Sequence, residues 1–294
     1  LMKGQITFGL EGHNPIKVGI GQFYGIEIND FAVTVAKTAL WIAESQMMKE
    51  TEDVVHMSLD FLPLKSYANI VEGNALRLDW ESVIPKRELD YIMGNPPFVG
   101  AILMDKVQKE DLSELFAGQK GAGNLDYVAG WYKKAADLMQ NSRICAALVS
   151  TNSITQGEQV PILWEKLFGT GIHINFAHRT FRWDSEAKLK AHVHCVIVGF
   201  SYVQNNGEKT IYSSDRPQSA NNINAYLVDG PSVFIESRKR PLCDVSEVVF
   251  GNMPNDGGHL SDYSREEKDR IVLVYPDAAN MFRRFVGATE FLHN

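Results

Sequence analysis

The chain has 294 residues, 45% of them hydrophobic and 22% charged, with a formal net charge of -7. That is enough apolar material for a substantial core and one or two domains, and the acidic balance excludes a surface coated in basic groups, so any nucleic-acid contact has to come from a local patch. Cys145, Cys195 and Cys243 are odd in number and lack CxxC or CxxH pairing, and no apolar run reaches membrane-spanning length; both fit a cytoplasmic location without a zinc site or a membrane.

Leu1-Met2-Lys3-Gly4-Gln5 carries no signal peptide and reads like the middle of a longer polypeptide. Residues 23–28 form an apolar strand interrupted by one carboxylate, Glu27. Asn29 or Asp30 then caps a helix with Phe31, Val35, Leu40, Ile42 and Ala43 at helical spacing. A second strand precedes Asn74, and residues 89–93 give a third. A helix over 126–139 leads to a strand over 144–150; a helix over 160–168 leads to strands over 172–177 and 193–200. Alternating strands and helices predict an α/β fold with a mostly parallel sheet flanked by helices. After the polar stretch 204–207, strands at 210–212 and 223–228 are expected to form a final hairpin. Residues 251–258 read as a loop, and Ser264-Arg265-Glu266-Glu267 matches a capping box opening a helix that should stop before Pro276. The expected division is a domain over 1–230 and an irregular C-terminal segment over 231–294.

The most informative stretch is Tyr91-Ile92-Met93-Gly94-Asn95-Pro96-Pro97-Phe98, a strand running into two prolines. Proline fixes φ and removes a backbone donor, so Pro96 and Pro97 make a stiff turn that presents acceptors. The side-chain carbonyl of Asn95 and the carbonyl of Pro96 can take both hydrogens of an aromatic amine and orient its nitrogen, while Phe98 offers a face for stacking. The plainer alternative is a rigid exit turn with Asn95 as its acceptor and Phe98 plugging the core.

Glu27 ends a strand, where open α/β sheets place ligand-binding groups, and its carboxylate can accept from both hydroxyls of a ribose; alternatively it is a helix-start acid favoured by the dipole. Between His178 and His194 lie Arg179, Arg182, Lys188, Lys190 and His192, interleaved with Phe181 and Trp183, a combination suited to holding phosphates and stacking an extruded base. The alternative is a solvated connection. His192 and His194 have no third ligand nearby, so no metal site is expected.

Asn-Pro-Pro-Phe resembles the motif of amino-group DNA methyltransferases that modify N6 of adenine. With Phe23-Tyr24-Gly25-Ile26-Glu27-Ile28-Asn29-Asp30 and the helix behind it, the chain resembles the methyltransferase region of single-chain type IIL restriction-modification enzymes over most of residues 20–200. The resemblance implies a class I, Rossmann-like methyltransferase fold with S-adenosylmethionine as cofactor. Its ribose would be bound by Glu27, its adenine ring packed on Ile28, and its adenine amine contacted by Asn74 or Asp79. Many relatives have Asp at the position of Asn74, and an Asn carbonyl can still accept that bond. Catalysis would fall to Asn95, Pro96, Pro97 and Phe98. The flipped adenine of double-stranded DNA would stack on Phe98 and on Phe181, with Trp183 the second choice.

The family's glycine-rich turn after the first strand is not found before Glu27, which implies a sheet without its first strand and a chain with little activity alone. The resemblance also implies nuclease and target-recognition domains as partners in a parent chain, the latter beginning within 231–294. The other functional readings are a non-catalytic DNA-binding or scaffolding segment of a restriction complex and a protein-glutamine methyltransferase, whose amide substrate suits the same turn.

Overall fold

The computed structural model describes residues 17–56, 69–183, 193–203, 208–213, 216–236, 238, 240, 243–245, 259, 261, 263–284, 286, 287, 292 and 293. The chain divides into two compact units, residues 1–237 and 238–294.

The first unit opens with β1 (Tyr24–Glu27), α1 (Asp30–Val55) and β2 (Asn69–Glu72). Asn29 caps α1 by accepting from Ala32 N at 2.8 Å. β1 and β2 pair in parallel as a separate two-stranded sheet. Of the apolar positions expected at helical spacing in α1 only Leu40 is half-buried, and Phe31, Val35, Ile42 and Ala43 are exposed, whereas Ala32, Ala36 and Trp41, outside that set, are half-buried. Both sets recur at helical spacing, so periodicity identified the helix without identifying its inward face.

Then follow β3 (Tyr91–Gly94), α2 (Lys106–Leu115), α3 (Ala129–Met139), β4 (Cys145–Thr151), α4 (Gln159–Gly169), β5 (His173–Trp183), β6 (Val193–Ser201), β7 (Lys209–Tyr212) and β8 (Pro217–Ala220). The six strands form one sheet ordered β3-β4-β6-β5-β7-β8. β4 lies parallel to β3 and antiparallel to β6, β6 is antiparallel to β5, and β7 is parallel to β5. Hence β3, β4, β5 and β7 run one way, and only β6 and β8 oppose them. The carboxyl ends of β3, β4, β5 and β7 therefore lie along one edge.

The core covers one face of this sheet. Leu148 and Ser150 of β4, Val196, Val198 and Phe200 of β6 and Ile174 of β5 are buried beneath Tyr132 and Met139 of α3 and Leu163 and Trp164 of α4. Tyr132 stacks on Phe200 at 5.2 Å and meets Trp164 edge-on at 5.4 Å. Their polar atoms are satisfied: Tyr132 Oη lies 2.6 Å from Ser150 Oγ, and Trp164 Nε1 donates to the Ile154 carbonyl at 2.8 Å.

Three local expectations change. α2 was not anticipated, although Asp105 and Gln108 form a capping box at its start. The helix expected from Asp126 begins at Ala129, leaving Asp126 and Tyr127 in the turn before it. The hairpin partner of β7 is β8, and residues 223–228 are a turn rather than a strand. There Asn224 Oδ1 accepts from Tyr226 N and Val228 N, and Ile223 makes only isolated bridges to Ile174 and Asp229. An asparagine side chain that supplies a local acceptor competes with a ladder partner.

In the second unit, Ser264 caps α5 (Arg265–Val274) and Glu267 reciprocates, closing the expected capping box before Pro276. Residues 251–258 lie outside the described residues.

Candidate functional site

β3 delivers the chain to Asn95 at the edge where the parallel strands end. Asn95 is exposed, the Pro96 ring is buried and Phe98 is half-buried. Neither the Asn95 side chain nor the Pro96 carbonyl has a hydrogen-bond partner among the described residues. The turn is held from behind: Tyr127 N donates to the Val99 carbonyl at 2.9 Å, and Leu103 N to that of Gly100 at 2.9 Å.

Glu27 ends β1 half-buried, with Ile28 beside it 64% exposed. The Glu27 carbonyl accepts from Gly73 N at 2.7 Å, which brings the β1 terminus against the Gly73-Asn74 turn. A Cβ on Gly73 would lie 2.4 Å from Leu78 Cδ1, so the close turn needs glycine.

Asn74 is engaged at both ends of its amide. Its Nδ2 donates to Asp111 Oδ2 at 2.9 Å, and its Oδ1 accepts from Leu76 N at 2.9 Å. Asp111, on α2, is buried and also receives Arg77 Nε at 2.5 Å and Tyr127 Oη at 2.7 Å. Burial works against its charged form, but the hydrogen bonds from Tyr127, Asn74 and Arg77 outweigh it and hold the carboxyl below its ordinary value. Burial and the Asp111 hydrogen bond push the Tyr127 phenol well above its usual range. This cluster ties the turn after β2 to the helix after the Asn-Pro-Pro turn. Sequence inspection missed Asp111, Arg77 and Tyr127; the capping box of α2 was the available signal, since it places Asp111 on a helix.

Asp79 is exposed and caps a short 3-10 turn, accepting from Glu81 N at 3.0 Å with Oδ1. Nearby Lys134 donates to the Leu78 carbonyl at 2.6 Å and stands 5.9 Å from the Trp80 ring. Burial lowers its pKa.

Asp126 forms a second buried anchor. Its carboxylate accepts from Thr151 Oγ1 at 2.8 Å and Gln159 Nε2 at 3.1 Å, joining the end of β4 to the start of α4. Gly100 sits against it, since a Cβ there would lie 3.7 Å from Asp126 Oδ1.

Phe181 lies at a register shift of β5, half-buried, with its ring edge-on to His178 at 4.8 Å. The His178 ring is parallel to that of Tyr212 at 6.3 Å. Trp183 ends β5; Lys188, Lys190 and His192 lie outside the described residues. Among the described residues no group of three or more His, Cys, Asp or Glu is placed to hold a metal, and no helix is long and apolar enough to cross a membrane. A larger hollow of about 610 Å³, lined by Lys86, Arg87, Asp90 and Arg143, lies where β3 and β4 begin, at the opposite edge from Asn95.

Comparison with known proteins identifies the family. The model of the MmeI DNA-methyltransferase domain matches residues 3–213, and that of the MmeI target recognition domain matches residues 229–294. DNA methyltransferase A of Bacillus subtilis (strain 168) is 42% identical over 279 residues, which are 94% of this chain and 32% of that protein. The solved structure of the type IIL restriction-modification enzyme MmeI in complex with DNA is 43% identical with a TM-score of 0.86, over 94% of this chain and 38% of that one. The chain thus spans about a third of the length of these relatives. With strands that bring an Asn-Pro-Pro-Phe turn to the sheet edge and a family match over most of its length, the chain belongs to the MmeI DNA-methyltransferase domain family, continuing into a segment of the MmeI target recognition domain.

Proposed function

We propose that this chain is the catalytic segment of a restriction-modification enzyme that transfers a methyl group from S-adenosylmethionine to N6 of adenine in duplex DNA. The single observation that carries the reading is a pair of acceptors, Asn95 Oδ1 and the Pro96 carbonyl, unpartnered among the described residues and set on a proline-stiffened turn at the sheet edge. They accept the two hydrogens of the adenine amine and so orient its poorly nucleophilic nitrogen; being preorganised, they cost little rearrangement at reaction. Phe98 and Phe181 stack on the flipped base.

The residues fit the cofactor. Glu27 is a half-buried carboxylate with no side-chain partner among the described residues, suited to a ribose diol, and Ile28 beside it exposes an apolar surface to an adenine ring. The cofactor supplies the electrophilic methyl. Between the two candidates for its adenine amine, Asn74 has only a second lone pair on Oδ1 to offer, whereas Asp79 keeps a whole carboxylate oxygen. The domain boundary we adopt is 1–230 for the catalytic domain and 231–294 for the linker and the start of target recognition.

The test is a chimera in which this segment replaces its equivalent in the Bacillus subtilis relative. Transfer of labelled methyl to N6 of adenine in duplex DNA, abolished by Asn95→Ala, is the expected result. DNA binding with no transfer by the unmutated chimera would instead establish a scaffold, and label on protein glutamine would redirect the substrate.

A further inference from the structure

A hollow of about 290 Å³ opens beside the carboxyl end of β5, between Thr155 and Gln156 after β4, Arg179 and Thr180 of β5, and the 226–228 turn. Arg179 and Thr180 are exposed, and Arg179 forms no ion pair among the described residues. The hydroxyl of Thr155 donates to the Asn152 carbonyl at 2.8 Å. This leaves the Arg179 guanidinium, the Thr180 hydroxyl and the Gln156 amide as donors without another acceptor among the described residues. A hollow with a guanidinium unpaired among the described residues and neutral donors around it suits an anion with several acceptor oxygens.

The opposite wall is built in a costly conformation. Leu227 is buried and has φ of 57°, a left-handed backbone that a leucine rarely adopts. Asn224 enforces it by accepting from Tyr226 N and Val228 N and donating to the Pro231 carbonyl at 3.3 Å. Backbone held this way concentrates where a rigid wall faces a ligand. Because β3, β4 and β5 run in the same direction, the hollow opens on the edge that carries Asn95. In a chain of net charge -7, a DNA backbone has to be met by such local cations.

We propose that Arg179, with Thr180 and Gln156, holds one phosphodiester of the DNA near the target base. The proposal rests on the reading that DNA is the substrate and adds the contact that fixes the register of the strand, without reading sequence.

The test measures duplex binding by the 294-residue chain through fluorescence anisotropy over a salt series. Arg179→Ala should flatten the slope of log affinity against log salt by about one and weaken binding equally for all sequences, while Arg179→Lys keeps the slope. Arg179 is exposed and forms no ion pair among the described residues, so its substitution should leave the melting temperature unchanged and misfolding does not confuse the result. An unchanged slope in Arg179→Ala, or no duplex affinity of the unmutated chain at low salt, overturns the proposal. So does inorganic phosphate binding that depends on Arg179 while DNA affinity does not, which would assign the hollow to a free phosphate. Loss of methyl transfer in Asn95→Ala bears on the catalytic reading alone, so the two can fail separately.

Discussion

Asn74 and Asp111, 37 residues apart in sequence, are joined by a 2.9 Å hydrogen bond that fastens the turn after β2 to the helix behind the Asn-Pro-Pro-Phe turn. Through it, and through the Arg77 and Tyr127 bonds to the same carboxylate, the Glu27 side of the site and the Asn95 side are held by one buried acid.

Asp111→Ala removes the acceptor for three donors. Breaking a buried, charge-assisted cluster costs about 3–5 kcal/mol, and the partial exposure of Arg77 puts the expectation near the lower figure, about 3 kcal/mol. Urea unfolding at neutral pH measures it, and a loss below about 1 kcal/mol would show that the cluster contributes little.

The same carboxylate gives a pH dependence with a defined sign. Its folded pKa is depressed, so the unfolded chain binds the proton first; the stabilisation is complete above the unfolded value of about 3.9 and is lost as pH falls through the folded value. Asp111→Asn should flatten this part of the acid limb. An acid limb as steep as in the unmutated protein would sink the assignment.

Asn95→Ala should leave stability within about 0.5 kcal/mol, because the side chain is exposed and bonds to nothing among the described residues. In the chimera it should abolish methyl transfer. A variant that melts early would mean that Asn95 serves the turn, not the substrate.

Gly130→Ala sets two magnitudes against each other. Alanine is better in a helix by about 1 kcal/mol, but its Cβ would stand 2.8 Å from Leu76 Cδ1 and 3.1 Å from Leu112 Cδ2, both in the core. Overpacking costs about 1–3 kcal/mol, so net destabilisation of about 1 kcal/mol is expected in thermal unfolding. A stabilised variant would mean that the two leucines yield easily.

Because the family's glycine-rich turn is not found before Glu27, the chain should bind S-adenosylmethionine weakly or undetectably. Calorimetry showing micromolar affinity would contradict this.

Read alone, the sequence determined the alternation of strands and helices, the capped helices α1 and α5, and the strand ending in Asn-Pro-Pro-Phe, because periodicity, caps and prolines act over a few neighbouring residues. Local signals did not say which face of α1 packs, which its tertiary surroundings decide, or that residues 223–228 turn instead of pairing, where the Asn224 side chain competes with a ladder partner. Tertiary structure alone decided that Asp111 and Asp126 are buried anchors: a carboxylate on a helix or in a turn looks like any solvated charge until folding carries it away from water and brings the donors that make its burial tolerable.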